Sequence, residues 1–208
     1  MILNVPGVVL SRRNIGEADR LAVLFTETLG KITVRFNGVN KSQSKLKALS
    51  EPLVWGEYRL YLSPKSEFGK IIGGRIIDSF PALRDDWRKT VEALGCCEIL
   101  SSLTADRNPN PEKYRLICEV LTRLSHAEPD PWLSLSFGLR ILDEAGLRPE
   151  ETSILSEDRA IFDQLLNDDF PPFNGQTSAR LRGLLYGRTE AQLGRPVKSR
   201  LFMESVSC

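Results

Sequence analysis

A single histidine, His126, serves all 208 residues. That scarcity removes most hydrolytic triads and many metal centres, since both are commonly built around imidazole. His126 also falls in a Pro-bounded loop, HAEPDP, rather than on a regular element, so no catalytic role is expected of it. The four cysteines, Cys96, Cys97, Cys118 and Cys208, include no Cys-x-x-Cys pair, and adjacent cysteines rarely close a disulfide. Neither a zinc site nor a disulfide framework is expected. Long apolar runs are absent too, none approaching the roughly 18 residues of a membrane span, and Met1 to Leu10 lacks the leading positive charges of a signal peptide. The expectation is a cytoplasmic protein without membrane contact. Phosphate-binding glycine loops are also missing. Gly73-Gly74 precedes no helix start, and Gly69-Lys70 lacks both the earlier glycine and the Ser/Thr of a P-loop. The carboxylate pairs Asp85-Asp86, Glu150-Glu151 and Asp168-Asp169 sit at helix ends or in loops, where solvated or dipole-paired acids are normal. No constellation for an enzyme remains, and a binding protein is expected.

What is present begins with VVLSRRNIGEADRLAVLFTETLGKITVRFNG, Val8 to Gly38. Val23 and Phe25, then Ile32, Val34 and Phe36, alternate with polar residues at the period of half-buried strands. Breaks at Asn14–Gly16 and Leu29–Lys31 each carry a glycine, which supplies the positive φ of a tight turn. Two further strands follow, LVWGEYRLYL with a bulge expected at Gly56 and KIIGGRIIDSF with a kink at Gly73-Gly74. Five short strands with glycine at the corners in about 80 residues suit the OB-fold, a small five-stranded barrel.

At Pro81 the period changes to that of helices. Trp87, Val91 and Leu94 lie on one face, and Tyr114, Ile117, Cys118, Leu121 and Leu124 form the clearest amphipathic stripe. Trp132 to Ala145 is apolar on most faces and predicts a central buried helix ending at Gly146, with further helices over Glu157–Leu166 and Thr177–Gln192 and a new start at Pro196. The expected fold is α+β, an OB-fold barrel over residues 1–80 followed by an all-α domain over 81–208.

The net charge of +1 conceals a pattern. Residues 1–80 hold 12 Lys and Arg against 7 Asp and Glu, residues 81–170 hold 10 against 18, and residues 171–208 hold 6 against 2. Basic ends around an acidic middle assign any polyanion contact to the ends. The candidate phosphate-neutralising residues are Arg12, Arg13, Arg20, Lys31, Arg35, Lys41, Lys45 and Lys47, with Arg180, Arg182, Arg188, Arg195, Lys198 and Arg200 as a second tier. Asp19 and Glu17 beside Arg20 offer it a structural ion pair instead. Phe25, Phe36, Trp55, Tyr58 and Tyr61 lie in alternating strands where core packing is the expected fate, and none is singled out as a base-stacking residue.

Several stretches in order resemble the RecO family of bacterial recombination and repair mediators. The opening strand with its Gly-Glu-Ala-Asp-Arg and Leu-Gly-Lys turns is similar to that family's start, DSFPALRDD to its junction between barrel and helices, FGLRILDEAGLRPE to its central buried helix, and QLGRPVKSRLF to its C-terminal end. The resemblance implies a non-enzymatic, nucleoid-associated mediator. It would bind single- and double-stranded DNA, anneal complementary strands, and act with RecR and the single-strand-binding protein to load the recombinase onto gaps, touching the recombinase filament only indirectly. Two features depart from the family. Many members carry a four-cysteine zinc cluster after the buried helix, whereas GLRPEETSILSEDRAIFDQLL has no cysteine, so no zinc or other cofactor is expected. Where relatives often show a basic Gly-x-Arg turn, this chain has Asn37-Gly38-Val39-Asn40-Lys41, which shifts the expected DNA contact toward Lys45, Lys47 and the arginines. The alternative is a protein–protein adaptor for RecR and the acidic tail of the single-strand-binding protein. Its acidic middle segment would hold partners, with a tail pocket expected near Arg140.

Overall fold

The computed structural model describes residues 1–39, 44, 46–63, 66–126 and 128–206, the side chains of 203–206 excepted. The alternating stretches form β1 (Ile2–Ile15), β2 (Asp19–Thr26), β3 (Gly30–Phe36), β4 (Trp55–Tyr61) and β5 (Gly69–Asp78). They close a barrel in the order β1-β2-β3-β5-β4, with β3 and β5 parallel and the other pairs antiparallel. β1 begins six residues earlier than the alternation indicated, at Ile2 rather than Val8. Its first half pairs with β4 and its second half with β2. Pro6 interrupts the pattern there and lacks a ladder donor, which hid the extension.

Inside the barrel Val9, Ala22, Leu24, Val34, Phe36, Leu60 and Ile71 pack around Tyr58. The Phe36 and Tyr58 rings meet edge to face at 6.4 Å. The buried Tyr58 hydroxyl donates to the Leu49 and Val54 carbonyls, and burial pushes its pKa up. Gly16 and Gly30 take φ of 58° and 66° at the two turns. The bulge expected near Gly56 is present as a register shift between Trp55 and Gly56, and a second falls between Arg59 and Leu60. At Gly74 the backbone approaches β4 so closely that a Cβ would lie 2.5 Å from the Glu57 carbonyl oxygen.

The helices are α1 (Pro81–Asp85), α2 (Trp87–Ser102), α3 (Pro111–Leu124), α4 (Leu133–Glu144), α5 (Arg159–Leu166), α6 (Gly175–Leu193) and α7 (Lys198–Val206). Asp86 caps α2 through the Arg88 and Lys89 amides, Asn174 caps α6, and Gly194 ends α6 with φ of 66°. The all-apolar reading of the central helix holds: α4 is buried on nearly every face and packs against α2, α5 and α6. Gly138 permits the α6 approach, since a Cβ there would lie 2.5 Å from Leu185 Cδ2.

The chain forms two compact units, and their division is not linear. Met1–Pro81 joins Ala105–Cys118 in one, and Ala82–Thr104 joins Glu119–Cys208 in the other. This differs from the expected break at residue 80, because the 105–118 segment is tied to the β2–β3 turn. Asp106 bridges to Lys31 as an isolated parallel pair, the Arg107 amide donates to the Lys31 carbonyl at 2.8 Å, and the Asn108 backbone lies against Gly30. Tyr114 then covers the outer face, its ring 6.4 Å from Phe25 and its hydroxyl accepting from Trp55 Nε1 at 3.0 Å.

A Cβ at Gly30 would meet the Asn108 carbonyl oxygen at 2.4 Å, whereas one at Gly16 would meet nothing within 4 Å. Gly16→Ala therefore bears only the left-handed backbone penalty, about 1 kcal/mol. Gly30→Ala should lose at least ~3 kcal/mol in urea unfolding, since backbone cannot move aside as a side chain can. Equal losses would contradict the docking of the 105–118 segment on this turn.

Candidate nucleic-acid interface

Strand parity sorts the basic residues of the barrel. Arg12 pairs with Ala22 and Asn14 with Arg20, so Arg12, Asn14 and Arg20 continue the inward-facing row beyond the end of the core. Arg20 is buried there, 3% exposed. Its guanidinium donates to Ser50 Oγ at 2.6 Å, Glu51 Oε1 at 2.8 Å and Asn14 Oδ1 at 3.4 Å. Arg12 donates to the other oxygen of the same carboxylate, Glu51 Oε2, at 2.9 Å. The acidic partner of Arg20, Glu51, arrives from 31 residues away, a contact that the neighbours Asp19 and Glu17 gave no hint of. As a phosphate contact Arg20 is withdrawn, because its guanidinium is enclosed by the fold.

The opposite parity points outward. Arg13 lies across from Leu21, Leu21 across from Arg35, and Arg35 across from Lys70 in the parallel β3–β5 pair. Neighbouring strands are about 4.8 Å apart, so Arg13, Arg35 and Lys70 form one outer row on the scale of several phosphates. All three are exposed. Among the described residues, neither Arg13 nor Lys70 has an ion-pair partner, while Arg35 shares Asp19 and remains 49% exposed at its side chain. Asp19 is itself fixed by the Gly38 amide at 2.7 Å, so Arg35 is held outward in a set position.

The remaining candidates divide. Lys47 is exposed at the turn whose carbonyl receives Ser50, close in sequence to the Arg12–Glu51–Arg20 cluster. Lys31 lies apart from the row, its ammonium 3.2 Å from Asp106 and its side chain only 16% exposed. Lys41 and Lys45 lie outside the described residues. In the helical unit, Arg180 makes a two-point contact with the buried Asp158 carboxylate and holds its pKa below the ordinary range. Arg195 bonds to Glu98, and Arg200 to Glu190 while stacking over Tyr186. Glu98 also accepts from the Lys198 and Ser199 amides, so it caps α7. Arg182 donates to Ser134 Oγ at 3.3 Å. Arg188 and Lys198 have no ion-pair partner among the described residues; Lys198 is exposed and Arg188 half-buried. Arg140, near which the tail pocket is expected, is 18% exposed at its side chain and lies 3.5 Å from Asp168, so its charge is already engaged within the fold.

Sequence reasoning missed Lys70 and the exposed Arg59. The alignment of Lys70 with Arg35 depends on a parallel pairing that no local pattern announces.

The recombination protein O N-terminal family model matches residues 1–80, and the C-terminal model matches residues 84–163. The chain belongs to the RecO family. Relatives of this RecO-family chain carry the name DNA repair protein RecO. That of Myxococcus xanthus is 34% identical over 143 residues, 68% of this chain and 58% of the relative. That of Bacillus pumilus is 29% identical over 150 residues, 72% of this chain and 58% of the relative. That of Listeria monocytogenes is 28% identical over 159 residues, 76% and 62%. The chain thus spans about three fifths of the length of these relatives. Gly146–Leu166 has no cysteine or histidine, and Glu151, Asp158 and Asp163 are paired with Arg159, Arg180 and Arg148. Among the described residues no three His, Cys, Asp or Glu side chains are grouped to hold a metal, and no helix is long and apolar enough to cross a membrane.

Burial separates the arginines by what truncation does. Arg20→Ala should cost about 2–3 kcal/mol in chemical denaturation, because Ser50 and Glu51 lose a buried partner. Arg13→Ala should stay within about 0.5 kcal/mol. A stability loss at Arg13 as large as that at Arg20 would contradict this sorting.

Proposed function

We propose that this RecO-family chain is a DNA repair and recombination mediator that performs no covalent chemistry and works at the bacterial nucleoid in the cytoplasm. It binds single- and double-stranded DNA on the outer face of the barrel, anneals complementary strands, and acts with RecR and the single-strand-binding protein to load the recombinase onto gapped DNA. The observation that carries the reading is the outward row of Arg13, Arg35 and Lys70, three exposed cations on β1, β3 and β5 with Leu21 of β2 between the first two. Cations so arranged neutralise phosphates without reading base edges. Two strands lowered in mutual repulsion in this way are free to pair by their own complementarity, which is the physical requirement of annealing. Arg12 and Lys47, and by sequence alone Lys41 and Lys45, are further candidate contacts, and Arg182, Arg188 and Lys198 supply a second set.

A second reading, the adaptor, is favoured by a groove in the helical unit. Trp87, Val91, Leu94 and Phe202 line about 690 Å³ of open apolar space whose margin carries Arg84 and Lys198, with Glu98 engaged by Arg195 and the start of α7. Apolar walls with a basic rim suit the acidic, hydrophobic tail of the single-strand-binding protein. Both roles fit one chain, the barrel holding DNA and the groove holding the protein that coats it.

Fluorescence titration of labelled oligonucleotides at several salt concentrations tests the DNA reading. Arg13→Ala combined with Lys70→Ala should weaken binding to all sequences alike and flatten the salt slope by about 1.4 on single strands and about 1.8 on duplex. An unchanged slope contradicts the assignment.

A further inference from the structure

Beside the outer row lies a cleft of about 300 Å³ lined by Arg12 and Arg13 on one side and by uncharged strand residues below. Its floor is Leu21, Val23 and Thr33 on the outer faces of β2 and β3, and Arg13 lies on the β1 side. The opposite wall is Phe68, with Glu67 beside it, at the end of the β4–β5 connection. We infer that this cleft is a subsite for one unpaired nucleobase, stacked on Phe68, while the phosphates on either side run along Arg13, Arg35 and Lys70. The inference rests on the DNA-binding reading above and adds to it the feature that distinguishes single-stranded from duplex DNA.

Three properties favour a base over a phosphate or an apolar peptide side chain. The floor residues Leu21, Val23 and Thr33 are uncharged, and Glu67 at the rim repels an anion, whereas the exocyclic amino groups of bases can donate to its carboxylate. The volume sits at the bottom of the usual range for small-ligand sites, about 300–1,000 Å³, which suits one base and excludes a base pair. The cations stand beside the cleft in register with its floor, the Arg13–Leu21–Arg35 row adjoining the Ser11–Val23–Thr33 row, so a base inside and its phosphate outside are both satisfied. Duplex DNA keeps its bases stacked within and has none to offer.

Phe68 is also held in place before any ligand arrives. Ser66 Oγ donates to the Phe68 carbonyl at 2.9 Å, and Arg107 Nη2 donates to the Glu67 carbonyl at 3.1 Å. Immediately after it, Gly69 enters the barrel in register with Val34, where a Cβ would lie 2.6 Å from Leu60 Cδ1. A main chain fixed on both sides of Phe68 loses little freedom when its side chain stacks on a base, which favours an effective platform.

The test compares wild type, Phe68→Ala and Phe68→Leu on a single-stranded oligonucleotide, its duplex, and an abasic strand of the same length. Phe68→Ala is expected to weaken single-strand binding about tenfold, with the salt slope unchanged and duplex binding nearly so. Phe68→Leu preserves apolar bulk, guards against a folding artefact, and should show most of the same loss. On the abasic strand wild type and both variants should bind alike. An equal loss on abasic and base-bearing strands, or no loss on either, overturns the subsite. Arg13→Ala with Lys70→Ala, run in parallel, separates the two ideas. A flattened slope there with an inert Phe68 leaves the backbone site standing without the base subsite, and an unchanged slope removes the site itself.

Discussion

Val34 with Gly69, Arg35 with Lys70, and Phe36 with Ile71 are the three parallel pairs that close the barrel. Without them β3 and β5 would be two edges with unpaired amides and carbonyls, and the interior around Tyr58 would open to water. The same pairs fix the outer surface. They carry Lys70 across from Arg35, complete the cationic row that starts at Arg13, and bring Phe68 over the outer face of β2 and β3. Closure of the core and assembly of the candidate interface are therefore one event.

The basic residues divide by the work their charges do in the fold. Glu51 gathers Arg12 and Arg20, Asp158 gathers Arg180, and Glu98 holds the start of α7 together with Arg195. In each case a carboxylate from a distant stretch converts a cation into a structural tie, and Arg20, taken nearly out of water, is the most complete example. Arg13 sits opposite Leu21, and Lys70 opposite Arg35 and Tyr61, so neither meets an acid in register across the sheet. A charge count along the chain cannot make this distinction, since the acidic partners come from up to about 100 residues away.

The barrel was legible because its strands alternate and its turns carry glycine: Gly16 and Gly30 both take the left-handed backbone that the turns require. The buried central helix was legible from an apolar surface with no polar stripe. What stayed hidden depends on long-range register. Parity says that Arg12 and Arg13 face opposite ways, yet only pairing with Ala22 and Leu21 tells which faces out. The tie between Asp106 and Lys31 draws a stretch from beyond α2 back to the barrel, and no feature of the 105–118 sequence shows it. Of the aromatics, Phe36 and Tyr58 go inside and Phe25 and Trp55 lie with Tyr114 on the outer face; Tyr61, expected in the core, is 41% exposed.

Backbone amide chemical shifts of the full chain, followed as a short single-stranded oligonucleotide is added, test the central claim most directly. The account predicts the largest perturbations at residues 11–13, 33–35 and 68–70, three segments far apart in sequence that share one outer face. Perturbations confined to the helical residues 180–200, or scattered without regard to that face, would contradict it.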